Sequence, residues 1–244
     1  MLHINMKPFL SVVIPVYNEV MRLENIAHVR EYLKRQDFSS ELIIVDDGSG
    51  EQTKKALKTL QQAYHFRLVG YKDNRGKGYA IKQGMNSATG EFRLFTDLDL
   101  STPIEEFNKF LPLLDKKTIV VGSRKMKGAN VIVHQSFLRE NMGKVFTFLS
   151  QTILRLSISD FTCGFKCFSE EAAKKIFSRM SIERWGFDSE ILFLGQKYGF
   201  SIREVPVVWE NEPNTRVKFP RDAIISFSEL LQIRWNSLKG KYSA

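Results

Sequence analysis

In the first half of the chain, aliphatic runs alternate with segments of helical spacing. Leu10–Val16 (LSVVIPV), residues 42–45 (LIIV), residues 66–69 and Phe92–Phe95 read as four buried strands. Between them, residues 19–34 place Leu23, Ile26, Ala27, Arg30 and Leu33 on one side of a helix. Glu51–Tyr64 and residues 77–88 read as further helices, the last stopped by Gly90.

Alternating strands and helices imply right-handed crossovers, hence a largely parallel sheet with helices on both faces. The fold class is α/β. The second half is less regular. Residues 119–121 form a fifth strand and residues 135–156 a long helix, with a turn and a short strand in 159–168. Residues 170–177 and 189–198 look helical, residues 202–209 alternate as a strand, and residues 219–235 form a closing helix with a strong apolar stripe. There is no linker or internal repeat, so one domain is expected.

Ligands bind at the carboxyl ends of strands in such sheets. Those ends read Pro15-Val16-Tyr17-Asn18-Glu19, Asp46-Asp47-Gly48-Ser49 and Asp97-Leu98-Asp99, so polar and acidic groups from three strands converge on one edge. Paired carboxylates at Asp97 and Asp99 suit a hard divalent cation, Mg²⁺ or Mn²⁺, that bridges to phosphates. The alternative is an Asp-rich turn with Ser101 capping a helix that begins at Pro103. Asp46 and Asp47 need hydrogen-bond partners, which a base N–H or ribose hydroxyls would provide. Asn74-Arg75-Gly76-Lys77-Gly78 opens a helix with glycines and a cation, an arrangement that favours an anion. It is neither a P-loop nor a dinucleotide fingerprint, which disfavours ATPase and oxidoreductase chemistry.

The 244 residues carry a formal charge of +9, which favours an anionic partner. No zinc-finger spacing or aromatic RNA-binding strand points to nucleic acid. Cys163 and Cys167 lack the spacing of a redox pair or zinc site and read as core residues of a reducing compartment. No apolar run is long enough to span a bilayer and no signal core opens the chain, so a cytoplasmic, soluble or peripheral protein is expected.

These strand-end motifs, together with Gly122-Ser123-Arg124, Asp160 to Lys166 (DFTCGFK) and Trp185 to Glu190 (WGFDSE), resemble the ordered motifs of family 2 inverting glycosyltransferases. The resemblance is to the polyprenyl-phosphate glucose and mannose synthase branch and spans roughly residues 10–222. It implies a GT-A-like nucleotide-sugar-binding domain, with donor and metal in residues 9–125 and acceptor in 126–244. It implies nucleotide-sugar contacts from Pro15, Tyr17, Glu19, Asp46, Asp47, Lys77 and Asp97, and a metal on Asp97 and Asp99. Asp99, Arg124 and Asp160 are implied as catalytic, Arg124 by stabilising the leaving diphosphate and Asp160 as base or positioning group, with Asp188 and Glu190 as weaker base candidates. Arg139, Lys166 and Arg216 would meet the acceptor phosphate.

Three departures from the family pattern matter. Ser101 stands where many mannose synthases carry glutamine, which resembles glucose-transferring relatives. Leu98 replaces a small residue, and Thr215-Arg216 replaces a serine-lysine pair. The implied reaction is hexose transfer, from UDP-glucose ahead of GDP-mannose, to a polyprenyl phosphate. A soluble family 2 enzyme with a glycan, protein or small-molecule acceptor, a nucleotidyltransferase and a non-catalytic adaptor are the competing readings. Membrane contact would be peripheral, at the cytoplasmic face, or supplied by an anchored partner. The stripe Phe137, Val145, Phe146, Leu149, Ile153 and Leu156 is a candidate interfacial face, as is the basic loop at 124–127.

Overall fold

The computed structural model describes residues 7–133, 137–211 and 221–243, without the side chains of 137–139. Its strands and helices, in chain order, are β1 (Leu10–Val16), α1 (Asn25–Lys34), β2 (Ser40–Asp46), α2 (Glu51–Tyr64), β3 (Arg67–Gly70), α3 (Lys77–Ser87) and β4 (Phe92–Phe95). They continue with β5 (Thr118–Ser123), β6 (Asn130–Val133), α4 (Phe137–Leu154), β7 (Lys166–Ser169), α5 (Glu170–Arg179), α6 (Phe187–Lys197), β8 (Ser201–Pro206), β9 (Val208–Glu210) and α7 (Arg221–Leu238). The expected elements are present, except that the single strand expected over 202–209 divides into β8 and β9; β6, a stretch given no element from the sequence, is an addition. The segment expected as one helix from residue 19 splits into a 3₁₀ turn at Val20–Arg22 and α1.

Seven strands form one sheet in the order β3-β2-β1-β4-β7-β5-β8, and β6 pairs with β9 separately. β3, β2, β1 and β4 are mutually parallel. The chain crosses from β3 past β2 and β1 to lay down β4, so the topological switch falls between β1 and β4. β7 runs antiparallel to both β4 and β5. Its first residue, Lys166, therefore pairs with Phe95 and lies at the same edge as the carboxyl ends of β1, β2 and β4.

Alternation along the strands sorts the apolar side chains into two cores, one per sheet face. Val12, Ile14, Leu42, Ile44, Phe92 and Leu94 pack beneath α1, α2 and the 3₁₀ segment Ile104–Lys109. Val13, Ile43, Val45 and Phe95 pack beneath α3, α5 and α6. The α4 stripe turns inward: Phe146, Leu149 and Ile153 pack on that second core and Leu156 is buried, leaving Val145 exposed. The candidate interfacial stripe is thus core-facing at its described residues other than Val145, because the sheet needs that cover; the side chain of Phe137 lies outside the described residues. Among the described residues no helix is long and apolar enough to cross a membrane.

Candidate active site

Register brings the end of β1 beside the end of β2. Val16 pairs with Asp46, and Asp47 N donates to Val16 O at 2.9 Å. The loops beyond them clasp each other: Asn18 N donates to Ser49 Oγ at 2.9 Å, and Gly50 N to Asn18 Oδ1 at 2.7 Å. Ser49 is therefore spent on Asn18, and α2 carries no side-chain N-cap. Ser49 N also donates to Asp46 Oδ1 at 3.0 Å, which fixes that carboxylate at the rim. A cavity of about 410 Å³ opens beside Asp46, lined by Lys54, Lys58, Leu68, Gly70, Tyr71 and Lys72. Tyr17 stands half-buried at the end of β1, just after Pro15 and Val16, and Glu19 accepts from Arg22 Nη1 at 2.7 Å.

Asp47 departs from its expected role as a nucleotide contact. Its two oxygens accept from Tyr71 OH (2.8 Å), Asn74 Nδ2 (2.7 Å), Arg75 N (2.8 Å) and Gly76 N (2.9 Å). A carboxylate so occupied organises the 74–76 loop; the anion expected at this loop is the protein's own Asp47. The glycines also meet protein. A Cβ at Gly76, where φ is +111°, would sit 2.7 Å from Glu183 O, and one at Gly78 would sit 2.8 Å from Ile182 O. Tyr79 N donates to Glu183 O at 3.0 Å. The loop's compactness aims Lys77 across the sheet edge instead.

Lys77 Nζ lies 2.6 Å from Asp97 Oδ1. Burial pulls its ammonium pKa down, but Asp97, Asp188 and Asp99 outweigh that and raise it. Asp99 accepts from Ser101 N at 2.9 Å, and burial and the charge of Asp97 push its carboxyl up. Ser101 makes this turn in place of the expected helix cap; no side chain caps the 3₁₀ segment after Pro103. Leu98 points the other way into the core, and its carbonyl is held by Asn25 Nδ2 at 2.9 Å. The large residue between the aspartates is therefore an anchor that fixes the turn.

On the far side, Arg124 grips Asp160 through Nε (2.7 Å), Nη2 (2.8 Å) and its backbone N (3.0 Å). Asp160 is fully buried. Burial alone would raise its pKa; Arg124 overrides this and holds it well below the usual carboxylate range. Asp160 is thus no free base: both its oxygens are taken and it anchors Arg124. Arg124 Nη2 also reaches Thr162 Oγ1 at 2.8 Å, and its guanidinium faces the Trp209 ring at 5.2 Å. Within the 124–127 loop Arg124 is thus engaged by the protein and Lys125 Nζ donates to Gly143 O at 3.2 Å, while Lys127 is exposed.

Lys166 is fully buried, bonded to Asp188 and to Cys163 O (2.6 Å), so it does not reach an acceptor phosphate directly. Burial raises the Asp188 carboxyl against the pull of Lys166 and Lys77. Glu190, also buried, accepts from Ser181 N, Ile182 N and Tyr242 OH, a purely structural role. Burial pushes the Cys163 thiol up to about 11 and raises Cys167 as well, so both stay protonated core thiols. Arg216 lies outside the described residues, and Arg139 is described only by its backbone in α4.

One contributor went unassigned in the sequence. A Cβ at Gly164 would lie 2.2 Å from Asp97 Oδ2, so only glycine lets the 160–166 turn close on that carboxylate. Because the obstructing atoms are the movable end of Asp97, Gly164→Ala is expected to displace the carboxylate more than the backbone. Turnover should fall at least tenfold while stability drops by about 1–3 kcal/mol, read from kcat and a thermal melt of the same sample.

An acidic pair and a basic partner thus lie at the switch point of a mostly parallel sheet with one antiparallel strand, the fold class of GT-A glycosyltransferases. The chain belongs to glycosyl transferase family 2, whose model matches residues 11–177. It is 36% identical to the dolichyl-phosphate beta-glucosyltransferase of Dictyostelium discoideum over 95% of this chain and 76% of that protein. It is 37% identical to the human protein of that name (82% and 67%) and 33% identical to that of Saccharomyces cerevisiae (96% and 76%). Among solved structures it is similar to glucosyl-3-phosphoglycerate synthase from Mycobacterium tuberculosis in complex with Mn²⁺, uridine diphosphate and glucosyl-3-phosphoglycerate (TM-score 0.63, 19% identity, 94% and 79% covered). It is also similar to mannosyl-3-phosphoglycerate synthase from Rubrobacter xylanophilus (TM-score 0.68, 16% identity, 97% and 76% covered).

Proposed function

We propose that the protein transfers glucose from UDP-glucose to the phosphate of a dolichyl-type polyprenyl phosphate, with inversion at the anomeric carbon. The observation that carries this reading is the Asp97–Asp99 pair at the switch point, opposed by Lys77, in a chain similar over most of its length to dolichyl-phosphate beta-glucosyltransferases.

Asp97 and Asp99 are the residues that would hold Mg²⁺ or Mn²⁺. Their surroundings fit such an ion: the charge of Asp97 adds to burial in holding the Asp99 carboxyl up, a repulsion that a cation relieves. The two carboxylates would supply hard oxygen ligands of the kind such an ion takes. When bound, the ion neutralises charge on the departing diphosphate. Lys77 is the chain's own cation at the same place. The nucleoside enters the cavity beside Asp46, whose orientation Ser49 N sets, with Tyr17 and Glu19 just beyond the end of the adjoining β1.

The acceptor phosphate has a second pKa of about 6 and is largely dianionic at neutral pH. Its oxygen attacks the anomeric carbon while the bond to the diphosphate oxygen breaks, and UDP leaves with the electron pair. No proton has to be removed, in keeping with the occupied state of Asp160. Arg124, fixed by Asp160, offers Nη1 to phosphate, the nitrogen its described bonds do not use. Arg139 and Arg216 remain candidates for the acceptor. Residues 9–125 then form the donor half and 126–244 the acceptor half of one domain, working peripherally at the cytoplasmic face of a membrane.

Calorimetric titration with UDP-glucose and GDP-mannose, in Mn²⁺ and then in EDTA, tests the donor. UDP-glucose binding that EDTA abolishes is expected. Binding of GDP-mannose instead overturns the assigned base and sugar, and binding of neither overturns the whole reading.

A further inference from the structure

Arg124 is fixed by more than Asp160. β5 and β8 run parallel, with Val121 opposite Glu204 and Ser123 opposite Pro206. Paired and alternate positions share a face of the sheet, so Ser123 and Glu204 both point toward the 159–160 turn. Ser123 Oγ lies 2.8 Å from Ser159 Oγ. Glu204 takes the rest of the turn: it accepts from Ser159 N at 2.9 Å, from Ser159 Oγ, and from Asp160 N at 3.1 Å. Donors converging in this way suit an ionised carboxylate, which has acceptor sites for all of them and no proton of its own. A cavity of about 490 Å³, lined by Ser157, Ile158, Gln196, Phe200 and Glu204 among others, borders the approach to the turn. On that side directional bonds, not close packing, hold the turn in place.

The other side of Arg124 meets β9. Its guanidinium carbon lies 5.2 Å from the centre of the half-buried Trp209 ring, within range of attraction to the ring face. A flat ring beside a planar guanidinium leaves the long side chain fewer rotamers. Trp209 joins neither hydrophobic core, so filling space in the interior does not explain its place. β9 is itself tied to the turn of the acidic pair: Glu210 N donates to Ser101 O at 2.8 Å, and Ser101 N donates to Asp99. Val208 N donates to Glu106 Oε2 at 3.0 Å. The stretch 204–210 thus touches the turn that carries Asp160, the guanidinium of Arg124 and the turn that carries Asp99.

We infer that Glu204 and Trp209 are positioning residues of Arg124. Glu204 sets the turn from which Asp160 grips the guanidinium, and Trp209 restrains that group from the side of β9. Together they hold Arg124 in the setting that leaves Nη1 for a phosphate. That last consequence rests on the function proposed above; the restraint on Arg124 does not.

The restraint is read from hydrogen exchange at Arg124 Nε–H, which donates to Asp160 Oδ2. Its NMR signal in the 244-residue chain is identified by its loss in Arg124→Met. In Glu204→Ala and in Trp209→Leu, exchange at that group should accelerate roughly tenfold or more, the effect of one lost restraint. The amides of β1 should keep their wild-type protection. Glu204→Ala is expected to fold, because solvent from the adjoining cavity reaches the freed donors. Trp209→Phe keeps a ring and should stay within about threefold of wild type. Unchanged exchange in both variants, or an acceleration that β1 shares, overturns the assignment. Transfer from UDP-glucose to a short, water-soluble polyprenyl phosphate is assayed on the same samples. Glu204→Ala and Trp209→Leu should each lose about tenfold in kcat/KM, and neither should add to the loss in Arg124→Met. Additive losses, or faster exchange with unchanged transfer, overturn the link to the reaction. Absence of transfer by the wild type sinks the proposed function and leaves the restraint, read by exchange, standing.

Discussion

Asp97→Asn is expected to lower kcat about 10²–10³-fold at saturating Mn²⁺, with little change in stability. The carboxylate is one-third exposed and its ion pair with Lys77 is partly solvated, so losing that pair costs about 0–1 kcal/mol at most. What the variant removes is half of the Asp97–Asp99 pair, and with it the charge balance proposed for the departing diphosphate. Its amide still fits the space that Gly164 leaves, so the surrounding turn stays closed. Turnover within threefold of wild type, with unchanged metal dependence, would remove Asp97 from the mechanism. Loss of activity together with a large fall in melting temperature would reassign it to the fold.

Arg124→Met should show the opposite balance of effects, acting on the fold as much as on the reaction. It strands Asp160, fully buried and charged, which costs about 3–5 kcal/mol, or a fall in melting temperature of roughly 10 °C for a chain of this size. The pH dependence tests the cause. In the wild type the folded pKa of Asp160 lies below its unfolded value of about 3.9. The stability it contributes is therefore complete above that value and is lost as the pH falls below about 4. In the variant, burial without Arg124 pushes the same pKa above the unfolded value, so acidification from neutral pH should now stabilise the protein. Replacing both partners, Arg124→Met with Asp160→Leu, should recover much of the loss. Denaturant melts across pH 4–8 decide this: parallel profiles for wild type and Arg124→Met would mean that Asp160 is not the charge left behind.

The two predictions separate residues that look alike in the sequence. Asp97, Asp99, Asp46 and Asp47 follow or close strands, and Asp160 lies in the turn that leads to β7. Asp97 is partly open, beside a lysine, and Asp46 borders a cavity. Asp47 is saturated by the 74–76 loop, and Asp160 by Arg124. The loop glycines divide in the same way. Gly76 and Gly78 make room for the backbone of 182–183, and Gly164 makes room for Asp97.

The sequence by itself determined the four parallel strands, the helices between them and the edge at which the site lies. Those depend on local terms: a buried strand needs an unbroken apolar run, a crossover helix needs 3.6-residue spacing, and a strand end needs residues that leave the sheet. The strand-end motifs were legible for the same reason, each being contiguous. Only the tertiary structure decided which charges face a ligand and which face each other. The pairs Arg124–Asp160, Lys166–Asp188 and Lys77–Asp97 join residues 20 or more positions apart, and no periodicity encodes them. The same holds for the antiparallel β7, which carries Lys166 to the site edge, and for the stripe of α4. A stripe of apolar residues announces a buried face, but what covers that face depends on what the rest of the chain packs against it.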